Sequence, residues 1–128
     1  MTFALGDILH IDAPIVDHKK YHICLGDNEH RVLLCLFINS DGRFAGTVTF
    51  DDTRFPMLPR SKTGQSAVSL SLLPRYNAKQ LVLFKARKLG VLPKDVATEI
   101  AVACSTVKTL TREEKRFVID RLTEYAAA

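Results

Sequence analysis

Alternation of apolar and polar residues predicts a series of short strands in the first part of the chain. In Tyr21–Leu25 three apolar side chains alternate with His22 and Cys24, which is typical of a strand with one buried and one exposed face. Arg31–Ile38 is nearly all apolar, which favours a central strand covered on both faces. Further strands are predicted at Gly6–Ile11, Gly46–Phe50 and Ala67–Leu73.

Beyond these strands the hydrophobic period changes from two to 3.6, which predicts helices. Asn77 and Gln80 can form an N-terminal cap, and the first helix is expected to continue to Gly90, a residue suited to ending it. A second helix is predicted from Pro93 through Cys104. The capping box Thr111–Glu114 begins a last helix, which carries apolar residues as far as Tyr125.

The order of these elements indicates the fold class. Strands come first and helices follow, which favours an α+β domain with a small, strongly curved antiparallel sheet or barrel and helices packed at one side. We expect one domain over residues 1–128, with the sheet or barrel at about residues 5–75 and the helices at about residues 77–126.

Composition narrows the class of protein. The chain is 47% hydrophobic and 25% charged, which is ordinary for a soluble globular protein. We expect no membrane partner, because no apolar run approaches the ~20 residues of a span, and the N-terminus does not resemble a signal peptide. Cys24, Cys35 and Cys104 are widely spaced in apolar surroundings, which favours buried thiols and a cytoplasmic location over disulfides or a zinc site.

Charge is unevenly distributed along the chain. The net charge is +4, and no acidic residue stands between Asp52 and Asp95. Such a stretch attracts polyanions, of which nucleic acid is the commonest; the alternative is a basic surface that serves only solubility. The nine bases in this stretch are Arg54, Arg60, Lys62, Arg75, Lys79, Lys85, Arg87, Lys88 and Lys94.

Candidate chemistry lies at the ends of two predicted strands. His18, Lys19, Lys20 and His22 stand where the second strand begins, and Asn39, Ser40 and Arg43 stand where the third ends. A tight turn between antiparallel neighbours would bring the two groups to one end of the sheet. Cations could stabilise a phosphoryl transition state, and a histidine could move a proton. The alternative is an ordinary turn beside a solvated loop.

The order of motifs resembles the MazF/PemK-type toxins, over roughly residues 6–102. The similarity rests on Gly-Asp-Ile-Leu at Gly6–Leu9, a basic residue leading the second strand, and an apolar third strand ending in a small hydroxylic residue. It continues through GQSAVSLSLLPRYNAKQL and LGVLPKDVATEI. The family places an arginine, commonly before proline, where this chain has Lys20 and Tyr21. Lysine lacks the bidentate fork of arginine.

The resemblance implies an SH3-like barrel and usually a homodimer. It also implies an endoribonuclease that cleaves single-stranded RNA through a 2′,3′-cyclic phosphate without metal or cofactor, and that a small antitoxin inhibits. On this hypothesis Lys20 stabilises the phosphoryl charge and Ser40 positions the phosphate, while His22, by our own inference, transfers a proton. The predicted substrate-binding residues are His18, Lys19, Asn39, Arg43, Arg60, Lys62 and Arg75.

Two other functions fit the same pattern. One is a binding module of similar fold that holds nucleic acid or a protein without catalysis, which the missing arginine and the added last helix favour. The other is a purely structural or adaptor protein, which would show no affinity for RNA even at low salt.

Overall fold

The computed structural model describes residues 2–14, 21–40, 42 and 45–128. Within these residues, seven strands precede or interrupt the helices. The strands are β1 (Asp7–His10), β2 (Tyr21–Asp27), β3 (Leu33–Asn39), β4 (Thr47–Asp51), β5 (Gln65–Ser69), β6 (Arg75–Tyr76) and β7 (Arg87–Val91). The helices are α1 (Ala78–Leu83), α2 (Lys94–Cys104) and α3 (Arg112–Ala127), and a short 3-10 turn covers Asp52–Arg54.

All the strand pairings are antiparallel, in the order β4-β5-β3-β2-β1-β7. The outer edge of β3 is shared, because β5 pairs with its last two residues and β6 pairs with Leu33 and Leu34. Among the described strands, β4 and β7 remain edges that do not pair with each other. The α+β class with an antiparallel sheet is confirmed, whereas closure into a small barrel is not.

Both faces of the central strands are buried. On one face Ile23, Leu36 and Ile38 pack against α2 and α3 in the larger core. On the other face Cys24 and Cys35 belong to a second core, which α1 covers with Leu81. The prediction of a doubly covered third strand is therefore confirmed, since every residue from Leu33 to Ile38 is buried. The same second core also buries the face of β2 that the alternating pattern assigned to solvent.

The first helix is shorter than the sequence predicts. Its cap is as expected, because the Asn77 side chain accepts from the Gln80 N–H and the Gln80 side chain accepts from the Asn77 N–H. The helix ends at Leu83, however, and Lys85 adopts a left-handed φ of 53°. The predicted helical stretch up to Leu89 is wrong, because those residues enter β7 and satisfy the free edge of β1 instead.

The last two helices follow the prediction closely. Helix α2 spans Lys94–Cys104, and α3 begins at the complete capping box of Thr111 and Glu114. Tyr125 of α3 packs over Gly6, whose φ of 91° suits a residue without Cβ. Its hydroxyl also donates to the Leu92 carbonyl, which attaches α3 to the sheet. In the part of the chain that the structure describes, no helix has the length and apolar character to cross a membrane.

Candidate nucleic-acid interface

A cleft of about 350 Å³ opens where β3 ends. Its apolar floor consists of Tyr21 at the start of β2, Ile38 of β3, and Leu58 from the loop between β4 and β5. Polar and charged groups line the rest of the cleft. They are Asn39, Ser40, Arg60, Ser61, Lys62 and Ser66, with Pro59 beside them.

A buried carboxylate holds the loop that carries the two cations. Asp52 is 4% exposed, and its Oδ2 accepts from the Ser61 N–H at 3.0 Å. Its Oδ1 lies 3.2 Å from Nη2 of Arg60. The Ser61 N–H satisfies Oδ2, whereas the buried Oδ1 makes no hydrogen bond with the described residues and is compensated only by the charge of Arg60. Asp52 therefore sets the position of the Arg60–Lys62 segment relative to the sheet.

A second contact joins this loop to the end of β3. The Thr63 hydroxyl donates to the Ser40 carbonyl at 2.7 Å. The chain then turns at Gly64, which adopts a left-handed φ of 76° and accepts the Asp52 N–H at 3.0 Å. Because Thr63 and Asp52 hold the loop at two points, Arg60 and Lys62 lie beside Asn39 and Ser40 although they are 20 or more positions apart in the chain.

The cleft is electropositive at its rim. The Arg60 side chain is 74% exposed even though it pairs with Asp52, and Lys62 is exposed. None of the lining residues that the structure describes is acidic. The amide of Asn39 and the hydroxyls of Ser40, Ser61 and Ser66 add neutral hydrogen-bonding groups. Such a set suits an anion that carries several acceptor oxygens, a phosphodiester above all.

Four of the residues predicted from the sequence share this cleft: Asn39, Ser40, Arg60 and Lys62. Arg75 does not. It pairs with Leu34 near the start of β3, on the order of 20 Å along the strand from Ser40. Predicted residues His18, Lys19, Lys20 and Arg43 lie outside the described residues.

His22 lies elsewhere than the sequence predicts. It is 0% exposed, and its Nε2 is 2.8 Å from the Tyr76 hydroxyl. The rings of Phe37 and Tyr76 flank it, with centroids 5.0 Å and 5.5 Å away. The expectation of one pocket shared by His22 and Ser40 is therefore corrected, because α1 and β6 cover the face of β2 that carries the histidine.

The surroundings of His22 are buried, and this burial shifts the pKa values of two neighbouring ionisable groups. Burial raises the pKa of Tyr76 from 10.0 to about 12, and burial raises the pKa of Cys24 from 9.0 to about 11. Both groups are therefore neutral near pH 7. All three cysteines are buried and free, as the sequence predicts. Cys24 and Cys35 pack in the second core, and Cys104 packs in the larger core.

Tyr21 is one of the lining residues that sequence reasoning missed. It is partly exposed, belongs to the apolar floor of the cleft, and meets His10 edge-to-face with ring centroids 5.7 Å apart. The pattern counted it as one of the buried residues of its strand. The available signal was its position directly after Lys20 and at the first residue of the strand, where burial is incomplete.

The acid-free stretch is less uniformly basic in space than along the chain. Arg54 forms ion pairs with Asp95 and Glu99 of α2, and Lys88 lies 3.2 Å from Asp7. Five exposed bases of the stretch have no carboxylate within 4 Å among the described residues. They are Lys62, Arg75, Lys79, Lys85 and Arg87.

Comparison with known proteins gives no relative for this chain. No protein-family model matches it, nor does any curated protein or any solved structure. The resemblance to MazF/PemK-type toxins therefore stays a prediction from the motifs in the sequence.

Proposed function

We propose that the cleft at the end of β3 binds the phosphate backbone of single-stranded RNA. One observation carries the proposal. Asn39, Ser40, Arg60 and Lys62, selected from two separate sequence patterns, line one cleft in which no described residue is acidic. Such a set offers positive charge together with neutral hydrogen-bonding groups, the two kinds of contact that proteins make to a phosphate backbone.

Each rim residue has a distinct part in this proposal. The Arg60 guanidinium keeps donors available beyond the Nη2 that faces Asp52, and its planar fork matches two phosphate oxygens. Lys62 adds a point charge with mobile donors. The Asn39 amide and the Ser40 hydroxyl orient the phosphate by hydrogen bonds. Counterion release at these phosphate contacts supplies most of the affinity, which therefore falls steeply with salt.

Tyr21 is proposed to select single strands. Its partly exposed ring lies at the cleft floor, where an unpaired base could stack on it. A base inside a duplex is already stacked and paired, so extruding it costs a few kcal/mol. We therefore expect single-stranded RNA to bind more tightly than a duplex of the same sequence.

Cleavage of the bound strand is a second candidate function. The observation that favours it is the position of Ser40 beside Arg60 in the cleft, together with Tyr21, the residue that directly follows Lys20. In this reaction the ribose 2′-hydroxyl gives its proton to solvent water and its oxygen attacks phosphorus. The bond to the 5′-oxygen breaks, that oxygen takes a proton from water, and a 2′,3′-cyclic phosphate forms. Arg60 and Lys20 would stabilise the phosphoryl charge and Ser40 would orient the phosphate. His22, buried against Tyr76, has no part in this scheme.

The other consequences of the resemblance belong to the same proposal. They are an SH3-like architecture, a homodimer, and an acidic antitoxin that competes with RNA for the basic cleft by charge complementarity. Size-exclusion chromatography with light scattering measures the oligomer directly. A homodimer is expected, and a monomer at every concentration would remove this part of the proposal without affecting the cleft.

The central experiment measures binding and cleavage together. Labelled single-stranded RNA is incubated with the protein in EDTA at several salt concentrations, and both gel shift and strand length are recorded. The double variant Arg60→Ala/Lys62→Ala is expected to lose about tenfold or more in affinity, with the salt slope reduced by about two. Lys62→Ala alone, which leaves Asp52 paired, should reduce the slope by about one.

Arg75→Ala is the matched control, because it removes an exposed arginine of the same stretch from the other end of β3. Its affinity should equal that of the wild type. Shifted but intact RNA supports binding alone, whereas cut RNA that Ser40→Ala leaves uncut supports cleavage. The proposal is wrong if the wild-type protein shifts no RNA at low salt, or if Arg75→Ala weakens binding as much as Lys62→Ala.

A further inference from the structure

Cys24 and Cys35 stand directly opposite each other on neighbouring antiparallel strands. They are register partners of β2 and β3, and both side chains are free thiols in the second core. The third cysteine, Cys104 of α2, packs in the larger core on the other face of the sheet. The fold therefore brings two of the three thiols together and keeps the third apart from them.

The backbone hydrogen bonds identify the kind of pair that these two residues form. The Cys35 N–H donates to the Pro74 carbonyl at 3.0 Å, and the Cys24 carbonyl accepts from the Gly6 N–H at 2.8 Å. Both groups therefore point away from the strand opposite, which makes Cys24 and Cys35 a non-hydrogen-bonded pair. Cα atoms in such a pair are about 4.5 Å apart, which lies within the range of roughly 4.4–6.8 Å that a disulfide spans. A bond between the two sulfurs requires no large movement of either strand.

Burial protects both thiols in the resting protein. Each is completely buried, and burial raises the pKa of Cys24 to about 11 and that of Cys35 well above its usual range. The thiolate is the reactive form of cysteine, so neither thiol reacts while the second core is closed. The Gly26 N–H donates to Sγ of Cys24 at 3.4 Å, a contact that favours the thiolate of Cys24 over that of Cys35 once solvent enters.

Helix α1 is the cover of the second core that opens most readily. It contributes Leu81 to that core, but it has only six residues, and Val82 and Leu83 are 65% and 70% exposed. A helix this short has little stability of its own. Elements with few buried apolar contacts open at a lower free energy than the whole domain. Local opening of α1 therefore gives small solutes access to the cysteines while the sheet stays folded.

We infer that Cys24 and Cys35 form a redox modification site, which hydrogen peroxide converts to a reversible disulfide. The Cys24 thiol loses its proton and its sulfur attacks one peroxide oxygen. The O–O bond breaks, Cys24 becomes a sulfenic acid, and the departing hydroxide takes the proton to form water. The Cys35 sulfur then attacks the Cys24 sulfur, and the sulfenic hydroxyl leaves with the Cys35 proton as a second water. Two electrons pass from the thiols to one peroxide, and a dithiol reductant reverses the bond by exchange.

This site does not depend on the proposed RNA cleft. Neither cysteine lines that cleft, which opens on the side of the larger core, whereas Cys24 and Cys35 belong to the second core. Reduced and oxidised protein are therefore expected to bind RNA equally, and a failure to bind RNA leaves the disulfide unaffected.

Mass spectrometry of the full chain tests the pairing. The protein is treated with an equimolar amount of hydrogen peroxide at neutral pH, free thiols are alkylated in denaturant, and a digest is mapped before and after dithiothreitol. The wild type and Cys104→Ala should both form the Cys24–Cys35 disulfide at the same rate, and dithiothreitol should restore both thiols. In Cys35→Ala the sulfenic acid should persist on Cys24, where dimedone traps it.

Three results of that experiment would overturn the inference. The first is a wild-type disulfide that includes Cys104. The second is oxidation of Cys24 to sulfinic acid in the wild type without a bond to Cys35. The third is a wild-type protein in which all three thiols remain reduced after the second core has been opened by Asn77→Ala, the variant described next.

The two capping boxes supply a matched pair of variants for the role of α1. Asn77→Ala removes the cap of α1, and Thr111→Ala removes the equivalent cap of α3. The first should speed formation of the disulfide about fivefold, which is the usual effect of a lost cap on the equilibrium for local opening. The second should leave the rate unchanged, because α3 packs on the larger core. Equal acceleration by both variants would show that peroxide reaches the thiols only through global unfolding, and the inference of a site guarded by α1 would then be wrong.

Discussion

Tyr21 and His22 are neighbours in one strand, yet their side chains lie in opposite environments. Tyr21 is partly exposed at the floor of a basic cleft, whereas His22 is completely buried in the second core. The sequence hypothesis assigned proton transfer to His22 and packing to Tyr21. In the structure His22 is the packed residue and Tyr21 lines the cleft. The reason is that a strand sends successive side chains to opposite faces, and which face meets solvent depends on what packs on each.

The same contrast extends to the groups around each residue. Near Tyr21 the polar groups are exposed and positive, and one buried carboxylate, Asp52, keeps their loop in place. Near His22 the polar groups are satisfied internally, with Tyr76 as partner and aromatic rings on both sides. A polar side chain that already has a buried partner stabilises the fold, while one that faces solvent can exchange water for a ligand.

The largest expected effect is on stability at His22. His22→Ala should lower the free energy of unfolding by about 3 kcal/mol, because it leaves a cavity and an unpartnered Tyr76 hydroxyl. Urea unfolding measures this loss, with Lys62→Ala as the control that should stay within about 0.5 kcal/mol of wild type. The sequence hypothesis predicts the reverse, a lost RNA activity at unchanged stability, and that result would remove the contrast.

The next effect concerns RNA affinity at Tyr21. Tyr21→Leu keeps an apolar side chain against Ile38 but removes the aromatic ring, so affinity for single-stranded RNA should fall about tenfold. Tyr21→Phe retains the stacking surface and should bind nearly as well as wild type. Fluorescence anisotropy with labelled RNA distinguishes the two. Equal affinities for all three proteins would exclude stacking at this position.

The smallest effect appears in alkali. Because the folded-state pKa of Tyr76 is raised from 10.0 to about 12, the protonated hydroxyl favours the fold, and this stability is present below pH 10 and lost as pH rises toward 12. Tyr76→Phe should therefore lose less stability than wild type between pH 10 and pH 12. At pH 7 the variant should be less stable by about 1 kcal/mol, since the hydrogen bond between the Tyr76 hydroxyl and Nε2 of His22 is lost.

The thiol of Cys24 also affects stability in that alkaline measurement. Its pKa is raised from 9.0 to about 11, so it contributes a separate loss of stability between pH 9 and pH 11 in both proteins. Comparing wild type with Tyr76→Phe at each pH cancels this contribution. Parallel pH profiles for the two proteins would show that Tyr76 does not titrate in the way its burial implies.

Several features of the fold could be predicted because they depend on neighbours in the chain. The capping boxes at Asn77 and Thr111 are closed by side chains three residues away, and the continuous apolar run of β3 marks a strand covered on both faces. The end of α1 could not be predicted in this way. Residues with helical spacing up to Leu89 instead pair with β1, because an open strand edge offers backbone hydrogen bonds that outweigh a weak helix propensity.

In the candidate site, too, residue types could be predicted from the sequence, whereas their positions in space could not. The acid-free stretch and the strand end indicated Arg60, Lys62, Asn39 and Ser40, since charge and turn residues are visible in the sequence. Their meeting in one cleft depends on two long-range contacts, Thr63 with the Ser40 carbonyl and Asp52 with Ser61 and Arg60. Arg75 carries the same charge but lies beside Leu34, at the other end of β3.

By itself the sequence determined the α+β class, most strand positions, both capped helix starts and the basic stretch. Each of these features depends on residue type and on spacing between near neighbours in the chain. Only the tertiary structure decided that α1 covers the His22 face of β2, that β7 completes the edge of β1, and which cations reach the cleft. These outcomes depend on which elements pack together, and packing compares contacts between residues far apart in the chain, which local patterns do not encode.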